Sequence, residues 1–207
     1  MSRIDEIVRL IAVIPGSRVD HGYGQGIEAV RQQFELLLGE SVSNSYLEEG
    51  FRNFHEFLTN LESWIAPYNL PNDYAIFLKQ YGGLTIHSGT FTFSLFGFGP
   101  MCHEWYPYLI GDDALADPSQ DGLLQIGSIH FDIPEKDFPY ALFFIDLSGR
   151  MKQNSIVRIG PVTTEEFSIH DISLNPLAHV SMWNIEADSF LDWLAIVVNT
   201  AGKAVSY

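Results

Sequence analysis

The feature that most constrains this chain is a change of apolar period along it. Up to residue 81 the apolar residues recur every three or four positions, beyond Gly83 they fall into short alternating or continuous runs of β-branched and aromatic residues, and near the end the helical spacing returns. A helix buries a stripe and a strand buries a face. Helices first, strands next and a closing helix therefore specify an α+β domain, with N-terminal helices and a C-terminal helix packed on a mostly antiparallel sheet.

Ser2 and Asp5 have the spacing of a capping box, and Ile4, Ile7, Val8 and Ile11 follow at helical intervals until Pro15 and Gly16. Residues 16–26, GSRVDHGYGQG, read as a polar glycine-rich loop. A second stripe holds Ile27, Val30, Phe34, Leu37 and Leu38, and a third runs from Phe51 through Phe54, Phe57, Leu58, Leu61 and Trp64 to Ile65, closed by Pro67. In LPNDYAIFLKQYGG, Pro71 fits a first helical turn, Asp73 faces the positive helix end, Gly82 stops the helix, and Tyr74, Phe77, Leu78 and Tyr81 face inward. Strands are expected near 90–99, 123–131, 140–147 and 155–160, joined by turn-rich segments such as GDDALADPSQDG. In the tail, Asp188 or Ser189 caps a helix whose stripe is Phe190, Trp193, Leu194 and Val197, and Gly202 ends it.

A chain of 207 residues, 46% apolar, can bury one sizeable core, so residues 1–207 are expected to form a single domain. Acids outnumber bases 26 to 11, giving a formal charge of −15. Too few cations remain to displace phosphate counterions, which argues against nucleic acid, and the field favours a basic partner. Cys102 is the lone cysteine, which excludes an internal disulfide and fits a reducing compartment. Asp5, Glu6 and Arg9 interrupt the N-terminal apolar stretch, so no signal peptide is read there, and no run approaches the ~20 residues of a membrane span. A cytoplasmic protein is expected.

Leu70-Pro71-Asn72-Asp73-Tyr74, followed by Phe77-Leu78, Tyr81, Gly82 and Gly83, resembles the opening motif of the SUKH superfamily, which includes the fungal Smi/Knr cell-wall regulators. Two further segments occur in the family's order: YALFFIDLSG at 140–149, similar to its hydrophobic strand ending in Asp, and Ala187 to Leu194, similar to its closing SFxxWL helix. The resemblance covers about 67–200. It implies a family-like core over 67–207, with 1–66 as a helical N-terminal extension. Its bacterial members are immunity proteins, so it implies an intracellular, non-catalytic protein that neutralises a cognate toxin, often a nuclease. The fungal members imply an alternative, a scaffold or regulator of endogenous proteins.

The residues offer little chemistry. Adjacent Cys102, His103 and Glu104 cannot converge on one metal ion, and His87, His130, His170 and His179 are scattered singly, so no metal or other cofactor is expected. Asp132, Glu135 and Lys136 lack the alternation of a nuclease strand, and Gly22-Tyr23-Gly24-Gln25-Gly26 has neither GxGxxG spacing nor a strand read before it. No GxSxG elbow occurs, which leaves an enzyme only as a site assembled from distant residues. The acids Asp112, Asp113, Asp117, Asp121, Asp132, Glu135 and Asp137 fall in or beside turns, either as a partner surface or as a solvated face. Trp105, Tyr106 and Tyr108 are candidate aromatic anchors for such a surface, or the filling beneath their loop.

Overall fold

Each change of sequence period becomes a change of element. The computed structural model describes residues 2–98, 118–131, 140–162 and 183–203. Within them the order is α1 (Arg3–Ile11), β1 (Arg18–His21), α2 (Ile27–Leu38), α3 (Asn44–Trp64), α4 (Asn72–Gln80), β2 (Tyr81–His87), β3 (Phe91–Phe96), α5 (Pro118–Asp121), β4 (Leu123–Phe131), β5 (Tyr140–Asp146), β6 (Ile156–Val162), β7 (Trp183–Ala187) and α6 (Phe190–Asn199). The fold is α+β, with six α-helices and seven strands among the described residues. None of these helices is long and apolar enough to cross a membrane.

The sheet is a meander. Its strands lie in sequence order, β1 to β7, and every neighbouring pair is antiparallel. Register sorts the side chains onto two faces. One row runs Val19, Leu84, Leu95, Gly127, Phe143, and this face meets the helices. Trp193 of α6 stands on it, its ring 5.1 Å from Phe143 and 5.6 Å from Phe93. A Cβ at Gly127 would lie 2.6 Å from the Ser94 carbonyl oxygen, so only glycine fits where β4 presses on β3. The opposite face carries a row across the first six strands, Arg18, Thr85, Ser94, Ser128, Leu142 and Ile159, polar over the first four and apolar over the last two.

Three strands appear where none was expected. β1 lies inside the glycine-rich stretch 16–26 and pairs with β2, its Val19 opposite Leu84. Four residues are too few to show a period, so the strand was hidden between two turns. The first 66 residues are thus not helical throughout; they supply an edge strand, and Ile11, Phe54 and Phe57 share one apolar core with Trp193. β2 follows α4 with no loop. Tyr81, expected on the helix, is extended with φ −122°, and Gly82 and Gly83 lie within the strand instead of ending the helix alone. Their small size serves a close approach, since a Cβ at Gly97 would lie 2.5 Å from the Gly82 carbonyl carbon. β7 was hidden in the approach to the closing helix. The third helix also begins earlier than expected, at Asn44, because Ser43 accepts the amide of Tyr46 at 3.3 Å.

Candidate binding surface

The three segments that carry the resemblance meet at one corner of the molecule. Asp73, in the first turn of α4, accepts the amide of Leu191 on Oδ2 at 3.0 Å and that of Tyr74 on Oδ1 at 2.9 Å. A single carboxylate thus stands at the N-termini of α4 and α6, the ends where unpaired N–H groups favour negative charge. Ser189 completes the start of α6 by accepting the amide of Asp192 at 3.2 Å. Beneath this junction Phe190 packs against Tyr74 and Phe77, with ring centroids 4.9 and 5.4 Å apart.

The end of β5 reaches the same corner. Asp146 is 1% exposed, and its carboxylate accepts the Ser148 hydroxyl and the amide of Gly149, both at 2.8 Å, and the amides of Met151 at 2.8 Å and Lys152 at 3.1 Å. Four donors around one buried carboxylate fix the turn between β5 and β6. Asn154, with φ +62°, supplies the left-handed residue that this turn needs. Lys152 Nζ then reaches Asp188 Oδ2 at 2.6 Å, tying the turn to the approach of α6.

Between this turn and residues 67–72 runs an open groove of about 410 Å³, lined in part by Tyr68, Asn69, Asn72, Leu147, Gln153 and Asn154. Carboxamides both donate and accept hydrogen bonds, so these walls suit neutral polar groups such as peptide backbone. They hold no acid–base pair. Among the described residues no three His, Cys, Asp or Glu side chains come together as a metal-ligating set.

Of the acids and aromatics singled out in the sequence, Asp121 is the one that lies among the described residues. It ends α5, partly buried, and the carbonyl of the next residue, Gly122, accepts the amides of Leu147 at 2.8 Å and Ser148 at 3.1 Å. Asp121 therefore borders the same corner. Asp112, Asp113, Asp117, Asp132, Glu135, Asp137, Trp105, Tyr106 and Tyr108 lie outside the described residues, as do Cys102, His103, Glu104, Lys136, His170 and His179.

No family model, no curated protein and no solved structure matches this chain.

His87 and His130 both pair with Thr92 in register, one on each side of it, so that β3 lies between them. His87 Nδ1 lies 2.9 Å from Thr92 Oγ1, and His130 Nε2 lies 3.3 Å from Ser128 Oγ. A strand, β1, does lead into the GYGQG segment. Its backbone is nevertheless turned inward, with the Gly22 amide bonded to the Gln80 carbonyl at 2.9 Å and the Gly26 amide to the Tyr23 carbonyl at 3.0 Å. A Cβ at Gly24 would collide with the Lys79 carbonyl, so this glycine permits contact with α4 and does not cradle a phosphate. Tyr23 is buried beside Phe51, Phe54 and Phe98, and burial pushes its phenol up to about 12.

Sequence reasoning also placed Leu37 and Leu38 on a buried helical face. They are 42% and 49% exposed, and Leu36 is 84% exposed. The warning was present in the sequence as three consecutive leucines, which span most of a helix circumference and cannot share one stripe.

Proposed function

We propose that this chain is a cytoplasmic immunity protein of the SUKH type, which binds a cognate toxin domain and blocks its action by stoichiometric occlusion. The observation that carries the reading is the meeting of two motif segments at Asp73: the LPNDY segment starts α4, the closing SFxxWL-like segment starts α6, and one carboxylate joins them. The FFIDLSG segment turns through Asp146 beside them. These residues start helices and set turns, so they support a common scaffold on which the partner-facing residues vary. The charge of −15 supports a basic target, such as an enzyme that itself grips nucleic acid. On this reading nothing is turned over.

Co-expression tests it. A toxin encoded immediately beside this gene kills cells that lack the protein and spares cells that contain it, and purified toxin loses activity in proportion to added protein up to one equivalent. Failure to rescue would remove the reading. Rescue only by an intact set of endogenous partners would instead favour the scaffold of the fungal kind.

A further inference from the structure

α2 ends in Leu36, Leu37, Leu38 and Gly39, with all three leucines exposed. Tyr46, 42% exposed in the first turn of α3, joins them, its ring 5.6 Å from that of Phe34. Phe34 lies one helical turn before Leu37 and Leu38, so its neighbour Tyr46 adjoins the same end of α2. Gly39, in the left-handed region with φ +70°, ends α2 and turns the chain toward α3. Leu37 and Leu38 thus share one side of the hairpin tip with Phe34 and Tyr46, whereas Leu36, two residues from both Phe34 and Leu38, faces another side.

The rim of this tip is acidic. Glu35 lies three residues before Leu38, Glu40 follows Gly39, and Glu49 lies three residues after Tyr46. Between positions 27 and 49 the acids are Glu28, Glu35, Glu40, Glu48 and Glu49, and the single base is Arg31. Arg31 is engaged within the hairpin, with Glu28 Oε2 at 3.2 Å, the Val42 carbonyl at 3.1 Å and Asn44 Oδ1 at 2.6 Å. Glu28 is thereby paired, Glu35 is half-buried, and Glu40, Glu48 and Glu49 are exposed around the tip.

Charge decides between occupants. A second copy would bring the same glutamates, and another −15, against this rim. A basic protein places cations there and an apolar side chain at the centre, the arrangement in which a desolvated anchor supplies affinity and the charged rim supplies rate and selectivity. We propose that the α2–α3 tip, centred on Leu37, Leu38 and Tyr46, is a docking surface for a basic protein partner that presents an apolar anchor. The assignment rests on the toxin-binding reading for the identity of that partner, and adds where it docks.

The test titrates a synthetic amphipathic helix of lysine and leucine, about five turns long, into the full-length ¹⁵N-labelled protein, with a glutamate–leucine helix as control. Saturable amide shifts confined to residues 34–49 are expected with the lysine peptide and none with the control. Leu37→Ser with Leu38→Ser weakens binding by about tenfold, and Glu35→Lys with Glu40→Lys weakens it while leaving thermal unfolding unchanged. Shifts elsewhere, equal binding of both peptides, or concentration-dependent dimerisation through the tip would overturn the assignment. The cell assay separates the two proposals. If the wild type protects against the neighbouring toxin and Leu37→Ser/Leu38→Ser protects equally, the docking surface is wrong and the function stands. If the tip takes the lysine peptide but the wild type fails to protect, the function is wrong and the surface stands.

Discussion

At the scale of single residues, the interior is mostly apolar, and its polar exceptions divide into those with partners and those without. Asp146 has four donors, whereas Tyr74 is fully buried and its Oη finds no partner among the described residues. Burial pushes the Tyr74 phenol well above its ordinary range, because no partner offsets the cost of charging it. A buried hydroxyl without a partner costs stability that its removal restores, so Tyr74→Phe is expected to stabilise the fold by about 1 kcal/mol, read as a small rise in the thermal midpoint. Two helix-start carboxylates act through pH. The Tyr81 hydroxyl donates to Asp5 at 2.8 Å and, with Ser2, holds its carboxyl below the ordinary value; the Ser189 hydroxyl and then Arg3 do the same for Asp192. Both groups bind protons less tightly folded than unfolded, so their contribution is complete above about pH 4 and is lost as pH falls below it. Glu186 runs the other way, since burial outweighs Arg158 beside it and raises its carboxyl; that contribution is present at low pH and fades as pH rises above about 4. Urea unfolding from pH 6 down to pH 3 should therefore show a smaller loss for Asp5→Asn with Asp192→Asn than for the wild type.

At the scale of elements, Asp73 has the largest reach because it serves two helices. Asp73→Ala removes an acceptor for the Leu191 amide and a negative charge from two positive helix ends, an expected loss of about 2 kcal/mol; Asp73→Asn keeps an acceptor and recovers about half. Chemical unfolding of the three proteins checks the order. The same elements show what sequence can reveal. α1 and α6 were legible because their stripes are complete and their caps obey spacing, with Ser2 bonded to the amide of Asp5 and Ser189 to that of Asp192. β3, β4, β5 and β6 were legible from runs such as FTFSLF. β1 was not, because its four residues are too few to show a period, and β2 was not, because glycine reads as a stop and the role of Gly82 is decided by distant backbone, its approach to Gly97. A contact between residues so far apart in sequence leaves no local pattern.

For the whole molecule, the order of periods was enough to fix the α+β class, and a meander sheet then places each strand beside its sequence neighbour. The candidate surface was less legible. Composition gave the sign of the field but not its position, and the corner at Asp73 depends on a hydrogen bond spanning 118 residues. The three consecutive leucines of α2 gave a warning of exposure in the sequence, but how far each reaches solvent was not legible there, Leu36 being 84% exposed and Leu37 42%. With 26 acids against 11 bases, association with a basic target should be driven by long-range attraction and weaken as salt screens it. The measurement that bears most directly on the account is association of this protein with the purified catalytic domain of the toxin encoded beside it, followed across ionic strength together with the toxin's activity. The account predicts a one-to-one complex that abolishes turnover and forms about tenfold more slowly as salt rises from about 0.05 to 0.5 M. No complex, or a complex in which the toxin remains active, would contradict it.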